Sequence, residues 1–345
     1  MNELTIHIYS SDDVLPANLL EDDFFHSAKL FALSKATPRH RPYMAVVTDA
    51  NAVVVAQLLA LVRYRSSWLP PYFFMHCRIL GEGAFRKDDG SETVLRGHAH
   101  ERSEKEAERQ ALLFEMMLEQ LKERMGRNVL FMEVSNLSQK MFGYSAFRKN
   151  GFFPVKWMSI HNSLHSRKPE ERIGERLKKR IEIAERRGVT TQEVSNEKDF
   201  RSFSRLLRHH HWFKPRRYVP DDHFFRSIQQ GKDGSLLITK YRERVIGCSA
   251  IVYSQQQAYL WYAAFRRKSF APLHPDDVTI WHTINHAYEK GYEHIYFMDV
   301  GLPFEKNPYR EFILSFGGKP VSTFRWFRCS IGWINRLLSW IYGRN

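Results

Sequence analysis

Asp299 is the residue best suited by type and position to move a proton. It stands near the end of the apolar string HIYFMDV, residues 294–300. A carboxylate at the end of a buried strand can act as a general base or orient an amine. It can equally cap the turn that follows, DVGLPF, through a side-chain to backbone bond. Glu133 holds the matching place in NVLFMEV, residues 128–134. An acid kept in both strings argues for structure as much as for chemistry. A second candidate is the run Arg78-Ile-Leu-Gly81-Glu-Gly83. An R-x-x-G-x-G string can bring successive backbone N–H groups around a pyrophosphate where a helix starts. Here the next helical pattern begins only near Ser103, after a polar stretch. That spacing favours a strand followed by a flexible turn.

Cationic and aromatic side chains gather at two further places. Lys214, Arg216 and Arg217 lie between Trp212 and Tyr218, a mixture suited to a nucleotide diphosphate or an RNA phosphate, or to a solvated loop. The preceding His209, His210 and His211 are a poor metal site, because consecutive helical residues point in different directions. Lys306, Arg310 and Lys319 form the second basic group, with Tyr309 and Phe312 in the same segment. Trp261 and Tyr262 sit side by side in QAYLWYAAF, so strand alternation predicts one ring in the core and one in a cleft. Arg266, Arg267 and Lys268 follow, a basic turn that could hold phosphates by charge.

The chain has 345 residues, a formal charge of +14, 43% hydrophobic residues and 14% aromatic residues. This length suits two domains, and this composition excludes disordered and collagen-like classes. The charge implies an anionic partner without choosing among nucleic acid, nucleotide, phosphate and membrane surface. Cys77, Cys248 and Cys329 are far apart with no CxxC pair, which excludes a disulfide framework and a cysteine zinc site. No basic n-region precedes an apolar run at the N-terminus, and no apolar stretch reaches the length of a membrane span. The expectation is a cytoplasmic protein. The C-terminal segment RWFRCSIGWINRLLSWIYGRN carries arginines beside aromatic and aliphatic residues. It predicts an amphipathic helix, either at the inner face of the membrane or docked on the protein itself or a dimer partner.

The elements that must position these residues come from an internal repeat. NVLFMEV and HIYFMDV are offset by 166 residues, and Gly151/Gly317 and Pro154/Pro320 keep the same offset. Helical patterns precede both strings, and YSAFRKNGFFPV and YREFILSFGGKPV follow them. Three apolar, β-branched runs come before each copy: YMAVVTD, AVVVAQLLALVRYR and YFFMHCRIL, then SLLITKY, RVIGCSAIVYS and QAYLWYAAF. The pattern predicts an α/β fold with a mixed sheet, doubled in tandem, with domains at 1–165 and 166–345. In each, a three-strand meander leads to a helix, a buried strand, a helix and a last strand. The second domain begins with a basic amphipathic helix in ERIGERLKKRIEIAERRGV, whose stripe is Ile173, Leu177, Ile181 and Ala184.

That order of elements resembles the GNAT acyltransferase fold, and two such units in one chain resemble the Fem-type aminoacyltransferases. The string LKKRIEIAERRGVTTQEV is similar to the basic helix of that family, and LHPDDVTIWHTINHAYEKGYEHIYFMDVG with FGGKPV to its C-terminal block. The resemblance implies N-acyl transfer to an amine of an envelope precursor, nucleotide- or lipid-linked, without a covalent enzyme intermediate. It implies central strands that splay, 72–80 from 128–134 and 256–265 from 293–299, with the acyl donor in the gap. Asp299 would be catalytic. Lys214, Arg216, Arg217, Tyr218, Trp261, Tyr262, Lys306, Arg310 and Lys319 would contact substrate. No tightly bound cofactor is implied, and the donor would be aminoacyl-tRNA. The alternative is acetyl-CoA held at Arg78, Gly81 and Gly83, with an amino sugar as acceptor. A third reading is a non-catalytic binder of an anionic ligand.

Overall fold

The structure, a computed structural model, describes residues 4–66, 72–87, 92–93, 104–137, 142–211, 218–298, 300–303 and 305–343. The chain forms two compact units, Met1–Trp157 with Ser322–Asn345, and Met158–Val321. It passes between them twice, at 157/158 and 321/322, where the sequence reading placed one boundary at 165/166.

The first unit opens with β1 (Thr5–Tyr9), α1 (Ala28–Ala36), β2 (His40–Thr48), β3 (Val54–Ser66) and β4 (Phe73–Leu80). The short strands β5 (Ala84–Arg86) and β6 (Glu92–Thr93) precede α2 (Glu104–Met125), β7 (Val129–Ser135), α3 (Tyr144–Lys149) and β8 (Phe153–Ser163). β1 to β4 are antiparallel neighbours in sequence order, and β7 joins β4 in parallel. Leu113, Met117 and Leu121 recur every fourth residue along α2, with Phe114, Leu118 and Met125 beside them, and this stripe is buried on the sheet. Gln57 lies in the buried centre of β3, where a bare amide would be costly. Its side chain accepts from Leu20 N and donates to the carbonyls of Leu20 and His26.

The second unit contains α4 (Glu175–Arg186), β9 (Val189–Glu193), α5 (Glu197–His211), α6 (Asp222–Gln230), β10 (Gly234–Tyr241), β11 (Arg244–Ser254) and β12 (Gln257–Phe265). Then come α7 (Pro275–Glu289), β13 (His294–Phe297), α8 (Pro308–Leu314), β14 (Lys319–Cys329) and, back in the first unit, α9 (Gly332–Gly343). β9 to β12 are antiparallel, and β13 joins β12 in parallel, as β7 joins β4. Neighbouring residues of β11 locate the helices on opposite faces. A Cβ on Gly247 would stand 2.0 Å from Thr279 Oγ1 of α7, while Cys248 Sγ points to the Phe203 carbonyl of α5 at 3.9 Å.

Each unit is therefore built as the repeat predicts. The mates Gly151 and Gly317 follow α3 and α8 with φ of 77° and 78°. The last strands are exchanged, which the repeat did not foretell. In the first unit β7 pairs with Arg325–Cys329 of β14, from the far end of the chain. In the second, β13 pairs with Ile160–Ser163 of β8. Trp326, carried on β14, stacks on Phe147 at 4.5 Å within the first unit's core.

Candidate functional site

The two copies differ where the central strands were expected to splay. In the first unit the parallel ladder runs from Met75↔Val129 through Leu80↔Ser135. Gly81 N then donates to the Ser135 carbonyl at 2.9 Å, one step further. Strands 72–80 and 128–134 are thus joined to their ends, so the gap expected there is corrected to a closed sheet. Among the described residues of the second unit the ladder ends at Leu260↔Phe297, and β12 runs on to Phe265 past that rung. Asp299 follows this stop in sequence and lies outside the described residues, as do Lys214, Arg216 and Arg217.

A bulge marks the end of that ladder. On the other edge of β12, Ala250 faces Tyr262 and Ile251 faces Leu260, so Trp261 is the extra residue. A bulge breaks the two-residue alternation and re-aims side chains. Trp261 and Tyr262 consequently turn the same way. Their rings lie 6.0 Å apart at 22°, Trp261 against Phe224 and Tyr262 against Phe225, each at 5.6 Å. The bulge overrides the strand alternation on which the expectation for these two rings rested, and Trp261 is half-buried. Tyr262 is buried, and its hydroxyl donates to the Tyr218 carbonyl at 2.8 Å. That bond ties the segment before α6 to the extended strand. His211 completes the cluster, buried at the end of α5 with its ring 6.3 Å from Tyr262, while His209 is exposed.

The helix after β12 is set against binding another anion. α7 starts with Pro275, which has no N–H to offer, and its first turn carries Asp276 and Asp277, both buried. The carboxylates already occupy the favourable end of the helix dipole. Arg267 pairs with Asp276 at 2.6 Å and Arg180 of α4 with Asp277 at 3.1 Å. Burial, reinforced by the like charge of Asp276, pushes the Asp277 carboxyl up to about 6, against the pull of Arg180 and Arg267. One cation of the expected basic turn, Arg267, is thus engaged within the protein.

The basic group around α8 separates into different roles. Arg310 is buried, and it donates to the Leu302 carbonyl at 2.6 Å and the Glu305 carbonyl at 2.5 Å. It fixes the loop that follows Asp299 rather than presenting charge to a ligand. Asn307 supports the same loop, donating to the Val300 carbonyl at 2.9 Å and capping α8. Lys306 and Lys319 are exposed. His161 is held below its ordinary value by burial first, then by the charges of Lys319 and Arg172.

Arg78, Gly81 and Gly83 lie in the first unit, where each is engaged within the protein. Gly81 N–H is used in closing the sheet, and Gly83 N–H points to His26 Nε2 at 3.0 Å. Arg78 lies 3.5 Å from the buried Glu133, which also pairs with Arg325 at 3.2 Å and His76 at 3.4 Å. Burial would raise the Glu133 carboxyl, but Arg78, His76 and Arg325 together hold it well below the usual carboxylate range. The repeat mate of Asp299 is thus a neutralised structural acid. Sequence reasoning missed the roles of Asp276, Asp277 and Arg180. The signal was present in HPDD, a proline followed by acids at a helix start.

A family description of the acetyltransferase (GNAT) domain matches residues 173–310, a segment lying wholly within the second unit. The fold is similar to the crystal structure of FemX, with a TM-score of 0.61 and 10% identity over 92% of this chain and 94% of that one. It is also similar to L-PGS from Bacillus licheniformis, with a TM-score of 0.54 and 11% identity over 93% of this chain and 94% of that one. At such identities the likeness is one of fold. No curated protein matches the sequence. Through the GNAT domain spanning residues 173–310, the chain is an acyltransferase.

Proposed function

We propose that the chain transfers an aminoacyl group from aminoacyl-tRNA to an amine of a cell-envelope precursor, by direct attack and without an acyl-enzyme. The observation that carries this reading is the early end of the β12–β13 ladder at Leu260↔Phe297. A carbonyl seated beyond it would meet backbone groups at the rim of a buried sheet, which suits a developing oxyanion. The acceptor nitrogen attacks that carbonyl, loses its proton to Asp299, and the ester bond to the tRNA ribose breaks. The ribose oxygen leaves with a proton. Holding the two substrates in line supplies much of the acceleration.

Two features favour a tRNA donor over acyl-CoA. The N–H groups of Gly81 and Gly83 are turned to Ser135 and His26, and the first turn of α7 holds Pro275, Asp276 and Asp277. Either helix or loop would otherwise be a ready cradle for a pyrophosphate. The net charge of +14 suits a polynucleotide donor. Lys214, Arg216, Arg217 and Lys306 are assigned to its phosphates, and Trp261 and Tyr218 to the acceptor side, with Tyr262 positioning Tyr218. The peptidoglycan assignment of the acceptor rests on the Fem-type resemblance, which the fold likeness to FemX supports. The test is transfer of a radiolabelled aminoacyl group from charged tRNA to UDP-linked and lipid-linked muramyl peptides. Label in the acceptor is the expected result. Acetyl transfer from acetyl-CoA to an amino sugar, with no tRNA-dependent product, would replace this reading.

A further inference from the structure

The last helix presents an apolar face to solvent. Trp333, Leu337, Trp340 and Ile341 are 64%, 49%, 56% and 43% exposed, and no residue of α9 is buried. At 3.6 residues per turn these positions, i, i+4, i+7 and i+8, form one stripe. The opposite face fastens the helix to its own unit. Asn335 accepts from Cys329 N at 2.8 Å and donates to the Gly151 carbonyl at 2.9 Å. Tyr342, two turns on, stacks over Phe153 at 6.2 Å and 10°. The stripe is therefore held outward by contacts on its back.

We propose that α9 docks the protein on an anionic lipid bilayer, lying in the plane of the surface with this stripe at the headgroup–acyl boundary. Charge selects this occupant. The chain carries no acid after Glu311, whereas Arg328, Arg336 and Arg344 accompany the helix. Arg336 is exposed on the helix itself and falls at the edge of the stripe. A helix with an apolar tryptophan face, an arginine at its edge and no acid in its sequence has the composition of an interfacial helix. Among the described residues no helix is long and apolar enough to cross a membrane. A second copy is a poorer match, because two such faces would bring the same cations together on a chain of charge +14. The proposal stands independently of the donor and acceptor assigned above.

The test is co-sedimentation of the full chain with sucrose-loaded vesicles. One set is an equal mixture of phosphatidylglycerol and phosphatidylcholine, the other phosphatidylcholine alone. Binding to the anionic set, weakened by salt, is expected. Replacing Trp333→Ser with Trp340→Ser should lower the partition coefficient about tenfold or more, with circular dichroism showing that the variant keeps its fold. Arg336→Glu should weaken binding to the anionic vesicles while leaving the stripe intact. Equal partition of the parent and the double serine variant would overturn the proposal. So would equal binding to neutral and anionic vesicles, or a dimer in sedimentation equilibrium that the serine pair abolishes.

Discussion

Gly81 donates its backbone N–H to the carbonyl of Ser135 at 2.9 Å, closing a stretch of parallel pairing that the second copy of the repeat lacks among the described residues. It extends a parallel ladder that is already complete to Leu80↔Ser135. In the second copy the place of Ser135 is taken by Gly301, whose carbonyl accepts from Met158 instead, at 3.1 Å. Asn307 and Arg310 donate to the Val300 and Leu302 carbonyls of the loop there. The corresponding strand pairs thus form a longer ladder in one unit and a shorter one, with β12 running past it, in the other. The family match, residues 173–310, falls on the second copy.

Gly83 checks this division. Its φ is +101°, and an added Cβ would stand 3.0 Å from the Gln57 carbonyl. Gly83→Ala should therefore lower stability by about 1–3 kcal/mol, read as a shifted urea midpoint. Its transfer rate per folded molecule should stay at the parent value, whichever donor is supplied. A normal midpoint with selective loss of coenzyme A binding would instead return the R-x-x-G-x-G string to a cofactor role.

Glu133 gives a pH signature for the same unit. Its carboxyl sits well below the usual range because Arg78, His76 and Arg325 outweigh the cost of burial. A depressed acid stabilises the fold above the ordinary glutamate value and loses that contribution as the pH falls. Burial holds His76 below its ordinary value, which acts in the same direction. Urea midpoints should therefore drop steeply on acidification. Glu133→Gln should flatten the drop and cost about 3–5 kcal/mol at neutral pH, since it strands buried cations.

Much of this architecture was legible in the residues. The 166-residue offset gave the doubled unit, and the apolar runs gave both meanders, because buried strands and amphipathic helices write their periods into local sequence. The exchange of β8 and β14 was not legible. Strand partners far apart in the chain leave no local mark, so neither Arg325↔Ser135 nor His294↔Ser163 could be foreseen. The site was legible in part. Trp261 and Tyr262 were found as types, but their directions depend on a bulge set by cross-strand register. Arg310 read as a surface cation because its loop-facing bonds depend on tertiary geometry.

Asp277 should give the opposite pH dependence. Burial and Asp276 raise its carboxyl to about 6. A raised acid stabilises the fold while protonated, fully below its unfolded value, and this contribution is lost as the pH rises through about 6. Asp277→Asn removes that loss. The variant's stability, relative to the parent, should rise between the ordinary aspartate value and pH 7 by up to about 2 kcal/mol, reduced by solvent on the outer side and by the broken Arg180 pair. A midpoint difference that stays constant with pH would contradict the assignment.

Tyr262 is a positioning residue whose effect should appear in binding. Tyr262→Phe keeps the ring stack on Phe225 and deletes only the bond to the Tyr218 carbonyl. The cost in stability should be about 1 kcal/mol. If Tyr218 holds the acceptor side, freeing its segment should raise KM for the acceptor several-fold with kcat close to the parent. A purely structural bond would move the melting temperature and leave KM alone.

Asp299 carries the sharpest prediction, because the proposed reaction needs a group to take the amine proton. It stands two residues beyond Phe297, where the strand and its ladder end. Asp299→Asn keeps the size and the capping ability of the side chain and removes the base. Transfer should fall by about 10²–10⁴-fold, with the melting temperature unchanged. The residual rate should respond to pH as the free amine of the acceptor does, since solvent must then remove the proton. Asp299→Ala should lose the same activity and, in addition, any stability that the side chain gives the DVGLPF turn. If the asparagine variant kept full activity while the alanine variant only melted earlier, Asp299 would be a turn cap. The base would then be sought around His211, which lies beside Tyr262 in the same unit.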